Sequence, residues 1–394
     1  MSAAKWRRAM HTGLTGTPVR ALPQAAGRSV GSAVGGAVGR SASAAAPTID
    51  PYANSDAPRW LKYLWRTLGA RHVFVLVFVL LLPFVASPFL TYQVAAQSLI
   101  FGLIALSLSF LAGYGGMVSL AQMSVAGMAG YAVAVLGASG TASSLGWHWG
   151  IVVPLALLIA VLCSTLIGWL SVRTDGIYTI MITLAIGVAF YYLALQNYTV
   201  FNGFQGFQKV YPPLVLGINW RDPLPFYFLC LFWSMVGYFS IQWLVRTPFG
   251  IALQGTRDNA RRMNSLGYNV TATRVLAYAV SGLLAGVGGV LLVWYNGLIT
   301  PGSVGTGWLI NVLVIAVLGG MKHPIGAFLG AIVFILLQTF AIDLIDRERF
   351  NLVIGGVFLA IVLFSPDGLL GLWAKLRVRF GPSQVLTSTT RRHP

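Results

Sequence analysis

Few ionisable side chains in this sequence stand where acid–base or metal chemistry would need them. None of the nine Asp and Glu residues lies in the middle of an apolar run, and the five histidines occupy tails or the edges of runs. Cys163 and Cys230 lie inside apolar runs without CxxC spacing or a histidine cluster, which indicates inert buried thiols. No HExxH motif, carboxylate pair or Ser/His/Asp arrangement falls within the runs. We therefore predict no metal site and no catalytic residue.

A phosphate-binding loop of the form G-x-x-x-x-G-K-[ST] is also missing from the sequence. Any ATP hydrolysis that drives this protein must therefore be performed by another polypeptide. We expect no cofactor to be bound by this chain itself.

Neutral polar residues interrupt the apolar runs and are the candidates for contact with a small polar solute. Buried amides and hydroxyls must find hydrogen-bond partners where no water is present, and a small zwitterion could supply them. The alternative is hydrogen bonding between helices, worth about 1 kcal/mol per bond. Both interpretations stay open for Ser119, Gln122, Ser124, Tyr178, Thr183 and Asn311. Gly282, Gly286 and Gly289 instead repeat at helical spacing and predict close helix packing.

The composition indicates which elements must carry these residues. Hydrophobic residues make up 57% of the chain and charged residues 9%, whereas soluble domains average about 25% charged. So much apolar surface needs lipid as its solvent. We predict an all-α integral membrane protein with about ten transmembrane helices, each roughly long enough to cross about 30 Å. The runs are 73–91, 95–113, 117–138, 149–171, 177–196, 224–245, 274–295, 306–320, 324–342 and 351–372.

The third of these runs, 117–138, is rich in Gly, Ala and Ser. It either spans the membrane fully or forms a broken, partly re-entrant segment packed inside protein, where irregular backbone is tolerated.

Positive charge predicts the orientation of the ten runs. With the N-terminus inside, 22 of the 26 Lys and Arg residues face the cytoplasm, and only Lys209, Arg221, Arg347 and Arg349 lie outside. Cytoplasmic segments of membrane proteins carry this excess. We predict a multi-pass protein of a bacterial inner membrane with both termini in the cytoplasm.

The chain divides into a membrane domain and two tails. Residues 1–58 predict a disordered basic tail, 59–378 the transmembrane domain, and 379–394 a short basic tail. The first tail also resembles an organellar transit peptide, because it is Arg-rich and free of acidic residues before Asp50. The net charge of +17 is explained by membrane topology, so we predict no nucleic-acid partner.

One polar segment between runs predicts a partner on the cytoplasmic side. Pro248 and Gly250 interrupt the preceding helix, and residues 251–265 then predict a short amphipathic helix with Gly267 as its C-terminal cap. Exposed residues on this helix would include Arg257, Asp258 and Asn259. An ordinary basic loop is the alternative. A helix lying across the membrane face suits the transmission of motion from a soluble motor, so we call 248–270 the coupling segment.

Six blocks of sequence, in order, resemble the permease subunits of branched-chain amino acid ABC importers. In the coupling segment the matching residues are Gly250, Arg257, Asp258, Asn259, Leu266, Gly267, Tyr268, Asn269 and Val270. Thr256, Ala260 and Met263 depart from the family pattern. The other blocks are AGYGGMVSLAQMSVAGMAGY at 112–131, GIYTIMITLAI at 176–186, VSGLLAGVGG at 280–289, GGMKHPIGAFLGA at 319–331 and LFSPDGL at 363–369.

The resemblance implies a set of partners. Two ATP-binding cassette subunits would dock on the coupling segment and hydrolyse ATP, with Arg257, Asp258, Asn259 and Gly267 as the coupling residues. A second, similar permease would pair with this one, and an extracytoplasmic binding protein would deliver the solute. The loop FNGFQGFQK at 201–209 lacks the acidic residue that the family carries there, so a family role for it does not carry over.

Three functions remain as hypotheses. The first is inward transport of branched-chain amino acids, or of similar small solutes such as urea or amides, by alternating access driven by the ATPase subunits. The second is a secondary transporter driven by an ion gradient, which would normally need carboxylates or unwound ion sites within the membrane. The third is a membrane scaffold without transport. The sequence fixes neither the solute nor whether the permease pairs with itself or with a relative.

Overall fold

The computed structural model describes residues 89–137, 145–174, 176–213, 217 and 219–344, with a few isolated positions beside them. The predicted tails lie outside the described residues, and so do most of the runs 73–91 and 351–372.

Nine α-helices make up most of the described chain. The first helix is preceded by a π-helical segment, Leu90–Ala96. The helices are α1 Gln97–Gly115, α2 Gln122–Leu136, α3 Trp149–Ser171, α4 Ile177–Gln196, α5 Pro223–Leu244, α6 Pro248–Ser265, α7 Val270–Asn296, α8 Thr306–Gly319 and α9 Pro324–Leu344. Two short strands, β1 Phe207–Gln208 and β2 Leu298–Ile299, pair antiparallel. Single 3₁₀ turns stand at Gly203–Gln205 and Pro301–Val304.

The prediction of an all-α membrane protein is confirmed. Within the described residues, six helical segments are long and apolar enough to cross a membrane by length and composition. They are Leu90–Gly115, Trp149–Ser171, Ile177–Gln196, Pro223–Leu244, Val270–Asn296 and Pro301–Gly319. Gln122–Leu136 and Pro324–Phe340 are shorter apolar helices. The predicted total of ten helices stays a prediction.

The run at 117–138 does not form one continuous helix. Helix α2 has 15 residues, or about 22 Å, which is less than the roughly 30 Å of a hydrocarbon core. Non-helical backbone occupies 116–119, followed by a turn at Leu120 and Ala121, and Ser119 and Ala121 are fully buried. The structure therefore shows the break of the second interpretation, and a re-entrant path through the membrane stays a prediction.

The membrane-spanning helices run alternately in opposite directions. The contacts between their connecting turns show this. The end of α1 meets the turn between α8 and α9, because the carbonyl of Met321 fills the space beside Gly113. Helix α6 lies at this same end, where Arg257 reaches the carbonyl of Gly113. At the opposite end, the segment after α4 pairs with the segment after α7 through β1 and β2. The turns therefore fall into two groups, one at each end of the bundle.

Helix α7 is the centre of this bundle, with its most extensive packing against α3, α1 and α2. Other helices can pack closely against α7 because one of its faces carries glycine residues. Cβ atoms added at Gly282 and Gly286 would meet Ser164 and Ala160 of α3, and one at Gly289 would collide with the backbone of Ala126 in α2. Rigid backbone cannot move aside as a flexible side chain can, so Gly289 is the least replaceable of the three.

We expect Gly289→Ala to lower the stability of the folded protein by about 1–3 kcal/mol, because the added methyl group overpacks the contact between α7 and α2. The matched control is Gly307→Ala in α8, where an added Cβ meets nothing within 4 Å. Both changes replace a helical glycine by alanine. The thermal unfolding midpoint of the detergent-solubilised protein should fall for Gly289→Ala alone, and equal midpoints for the two variants would contradict this packing role.

Candidate translocation path and coupling helix

Helix α6 forms because its two ends are capped. Thr247 precedes Pro248 at the first helical position, and its hydroxyl accepts a hydrogen bond from the Gly250 amide at 3.4 Å. At the other end, Gly267 has φ of +88°, in the left-handed region that favours glycine. Its amide donates to the Asn264 carbonyl and that of Tyr268 to the Met263 carbonyl, which is the Schellman arrangement. Gly267 therefore stands at the cap position predicted for it.

The predicted single helix over 251–265 is wrong in one respect, because α6 is interrupted at Asn259. This residue has φ −156° and ψ 93°, which is not helical. Its side-chain oxygen accepts a hydrogen bond from the Arg262 amide at 2.9 Å, as an N-terminal capping residue does. Asn259 thus ends the first part of α6 and caps a short second part. Although exposed, its side chain serves its own helix.

Arg257 points back into the protein rather than only toward water. Its guanidinium donates to the carbonyl of Gly113 at the end of α1. Its aliphatic part covers Gly116, which has φ of +67° and where a Cβ would lie 2.6 Å from Arg257 Cγ. Arg257 is exposed, as predicted, and it also contacts α1, which the sequence did not predict.

Asp258 forms an ion pair with Arg257, with 2.9 Å between Oδ1 and Nη2. The two side chains are 67% and 40% exposed, so water screens the pair and it contributes little stability. Asp258 is therefore a coupling candidate whose carboxylate stays accessible to a partner.

Buried residues attach the first part of α6 to the bundle. Leu253 and Thr256 are buried, and Leu253 lies beside Gly115. Together with Arg257 they hold α6 against the turn between α1 and the broken segment. A movement of α6 would therefore displace residues 113–121 first.

The broken segment leads directly to a buried polar cluster that joins three helices. Gln122, the first residue of α2, accepts hydrogen bonds through Oε1 from the hydroxyls of Ser107 in α1 and Ser281 in α7, each at 3.1 Å. The Ser281 hydroxyl is also 3.0 Å from the Ser107 carbonyl. All three side chains are at most 1% exposed. The sequence identified Gln122 but missed the two serines, because a serine in an apolar helix gives no sign of the direction it faces.

A second group of polar contacts joins the start of α2 to α4. The amide of Leu120 donates to the hydroxyl of Thr183 at 3.1 Å. Ser124 Oγ lies 3.5 Å from the carbonyl of Gly187, whose missing Cβ leaves room for it. Ser119 is fully buried, and its hydroxyl accepts from the Ala121 amide at 3.4 Å. Four of the six path candidates, Ser119, Gln122, Ser124 and Thr183, are therefore brought together around the break before α2.

The other two candidates lie apart from this group. Tyr178 stands at the start of α4 with 70% of its surface exposed. Asn311 is partly exposed in α8, beside the buried Val312. Nothing in the described contacts places either side chain near Gln122, so these two candidates do not join the group around the break.

The far ends of α2 and α4 are closed by aromatic side chains. The ring of Tyr131 meets those of Phe190, Phe201 and Phe207 edge-on, with centroids 6.1, 5.1 and 6.4 Å away. Phe201 and Phe207 belong to the loop after α4, so the loop folds inward onto the helices. Gln205 of the same loop is exposed. Among the described residues, no three His, Cys, Asp or Glu side chains come together to hold a metal ion.

The fold and this site define a helical multi-pass membrane protein with a broken helix at its centre and a polar cluster beside the break. Sequence comparison identifies the family to which it belongs. The family described as "Branched-chain amino acid transport system / permease component" matches residues 90–362, which is most of the chain. This chain belongs to that family, and the resemblance drawn from the sequence blocks is confirmed.

Individual relatives are consistent with this family. The high-affinity branched-chain amino acid transport system permease protein LivM of Salmonella typhimurium is 25% identical over 318 residues, covering 74% of this chain and 73% of that protein. LivM of Escherichia coli K12 is 26% identical over the same length and coverage. The autoinducer 2 import system permease protein LsrC of Photorhabdus laumondii is 29% identical over 139 residues, or 33% of this chain and 41% of that protein. No solved structure matches the chain.

The break in α6 leads to a direct test. We expect Asn259→Ala to remove the cap of residues 260–265, costing about 1 kcal/mol locally, and to speed hydrogen exchange of the amides just after the break. Asn259→Ser retains a capping oxygen and is the control, so its exchange should stay close to that of the unaltered protein. If alanine and serine gave the same exchange, the side-chain cap would have no role in holding α6.

Proposed function

We propose that this chain is the transmembrane permease subunit of an ABC importer that moves branched-chain amino acids, or similar small polar solutes, into the cell. The family match and the similarity to two LivM proteins support the transport class. The similarity over a shorter region to LsrC, an autoinducer 2 import system permease protein, supports a solute class wider than branched-chain amino acids. Urea or short amides therefore stay within the proposed solute class.

The observation that carries the proposal is the attachment of α6 to the break before α2. An importer driven by separate ATPase subunits needs an element at its cytoplasmic face that can move the helices along the path. Arg257 connects α6 to Gly113, and the following residues carry Ser119 and Gln122 into the bundle interior. A displacement of α6 would thus act on the polar cluster through a few residues of continuous backbone.

The path itself would run past the start of α2. Ser119, Gln122, Ser124 and Thr183 meet there, and they are uncharged, which suits a zwitterion that must also leave again. In this structure Gln122 is hydrogen-bonded to Ser107 and Ser281, and the other three residues are hydrogen-bonded to backbone groups. Alternating access would separate these helices, so that the freed amide and hydroxyl groups bind the solute instead. Rigid-body tilting of packed helices is an established way to produce such a change.

The proposed assembly contains two ATP-binding cassette subunits, a second and similar permease, and an extracytoplasmic substrate-binding protein. ATP would be bound and hydrolysed by the cassette subunits, with this chain binding no cofactor. Both termini and α6 would face the cytoplasm of a bacterial inner membrane, as the distribution of Lys and Arg predicts. The segments around β1 and β2 would then lie on the outer side, where the binding protein arrives.

Purification from native membranes tests the proposed function. We expect the tagged protein, extracted in mild detergent, to retain ATPase subunits and a second permease in stoichiometric amounts, as mass spectrometry would show. Uptake of labelled leucine or valine by cells should depend on this chain and resist an ionophore. If the protein purifies alone and uptake collapses with the ionophore, a secondary transporter replaces the importer. If deletion leaves uptake of all the tested solutes unchanged, the scaffold hypothesis replaces both.

Arg257→Ala tests the coupling residues separately. We expect the assembled complex to form, while ATPase activity stimulated by the solute-loaded binding protein falls at least about threefold, because a partly exposed charged hydrogen bond to α1 is lost. Arg261→Ala is the matched control, since it removes the same charge from the exposed second part of α6. Equal losses for the two variants would indicate that surface charge matters, rather than the contact with Gly113.

A further inference from the structure

Two loops close one end of the bundle as a single unit. Strand β1 pairs with β2 in the register Phe207 with Ile299 and Gln208 with Leu298, and the amide of Val210 donates to the carbonyl of Gly297 at 3.0 Å. Gly206 has φ of +63°, and an added Cβ there would lie 2.8 Å from the Cα of Thr300. We call residues 201–210 and 297–304 the two-loop plug. Because its halves belong to the loops after α4 and α7, separation of these two helices opens the plug only by breaking this pairing.

The inner side of the plug is apolar and rests on α2 and α4. Phe207 is fully buried, and the rings of Phe201 and Phe207 lie edge-on against Tyr131. Phe190 of α4 completes the cluster, with its centroid 5.9 Å from that of Phe201. Edge-to-face contacts of this kind stabilise aromatic clusters. The plug is therefore held shut by side chains that need no charge and no bound ion.

Tyr131 is the feature of this cluster that packing alone does not explain. Its side chain is 1% exposed, and within the described part of the chain its hydroxyl has no hydrogen-bond partner. Burying a hydroxyl without a partner is unfavourable, and phenylalanine would fill the same space without that cost. A hydroxyl that is unsatisfied in the closed state is explained if it gains a partner in another state.

A narrow crevice lies between α2, α7 and the plug. It has a volume of about 10 Å³, which is room for one water molecule. Helices α2 and α7 form one wall and the plug forms the other, through Leu298, Ile299, Ser303 and Val304. The wall residues from the helices are Met123, Ala126, Gly127, Gly289, Leu292, Val293 and Asn296. Withdrawing the plug would therefore widen the crevice and open it to the outer side.

The crevice and Tyr131 share neighbours. Phe190 contacts the ring of Tyr131 and also lies 3.6 Å from the Cβ position of Gly127 in the crevice wall. An added Cβ at Gly130, the residue before Tyr131, would lie 2.8 Å from Ile299 of the plug. A mostly apolar crevice whose wall shares neighbours with a buried tyrosine matches a solute with an aliphatic part and a polar end.

We propose that the two-loop plug is the outer gate of the path, and that the Tyr131 hydroxyl binds the polar end of an aliphatic amino acid when the plug withdraws. The aliphatic side chain of the solute then lies between α2 and α7, in the widened crevice. This inference rests on the proposed importer function. It assigns a binding role to Tyr131 and an obligatory movement to residues 201–210 and 297–304.

A reversible cross-link tests the movement of the plug. Gln208 and Leu298 are cross-strand partners with exposed side chains, and paired strand residues lie within the Cα distance that a disulfide spans. In cells with the complete transporter, Gln208→Cys/Leu298→Cys should take up labelled leucine normally under reducing conditions. Oxidation should abolish uptake, and dithiothreitol should restore it. The single-cysteine variants and the oxidised wild type, which retains Cys163 and Cys230, control for oxidation elsewhere.

The outcomes separate the inference from the proposed function. If wild-type cells take up no leucine, valine or related solute, the importer proposal fails and the gate fails with it. If the oxidised, fully cross-linked double variant transports as well as the reduced one, the plug need not open and the gate is overturned while the importer proposal stands.

Tyr131→Phe tests the hydroxyl. We expect uptake per ATP hydrolysed to fall about tenfold or more, since a hydrogen bond to a charged solute group is lost. The unfolding midpoint should stay equal to wild type or rise, because an unpaired buried hydroxyl has been removed. Tyr278→Phe is the matched control: its hydroxyl lies 3.2 Å from that of Ser171, so its removal should lower the midpoint. A lower midpoint for Tyr131→Phe, or unchanged uptake, would overturn the binding role.

Discussion

The rest of the structure depends on one constraint, which is that backbone amides and carbonyls cannot be left unpaired inside a membrane. A continuous helix would pair all of these groups, but residues 116–121 are not helical. Their irregular backbone is stable because surrounding residues supply hydrogen-bond partners. The Leu120 amide is satisfied by Thr183, and the Gly113 carbonyl by Arg257. Irregular backbone of this kind is tolerated where it is enclosed by other helices, and α1, α4, α6 and α7 enclose it here.

The same constraint explains why the polar residues converge. A helix that starts within the bundle, as α2 does, begins with polar residues whose groups must be paired by neighbouring helices. Gln122 is paired by Ser107 and Ser281, so a single side chain joins α1, α2 and α7. Such a junction is stable while the helices stay together and leaves several groups unpaired when they separate. A junction that loses its hydrogen bonds when the helices separate suits a path that opens in turn to each side. A solute can then bind the amide and hydroxyl groups that have lost their partners.

The two ends of the bundle are built differently, and the difference follows from the interactions used. At one end, α6 is attached through a guanidinium, a few buried apolar residues and its capped termini, with its charged face open. At the other end, the two-loop plug is held by a short strand pairing and by aromatic rings. The first arrangement leaves charge for a soluble partner to bind. The second closes its end with apolar contacts and backbone pairing rather than charge.

The sequence by itself determined the class of the protein, the approximate positions of its helices, the cap at Gly267 and the family. These follow from local patterns: apolar runs of sufficient length, glycine at a helix end, and ordered blocks of similar residues. It also identified Gln122 and the small face of α7, because a polar or glycine residue in an apolar run is visible without any contact being known.

Only the tertiary structure decided how far α2 extends, where α6 breaks and which side chains meet. A helix break is set by the partners available to the freed backbone groups, and those partners are far away in the chain: Thr183 for Leu120, Ser281 for Gln122. Tyr178 and Thr183 were both path candidates on α4, yet only Thr183 contacts the start of α2, because the packing of α4 against its neighbours selects which of its side chains are buried. The inward folding of Phe201 and Phe207 onto Tyr131 likewise depends on strand pairing between segments about ninety residues apart, which no local pattern encodes.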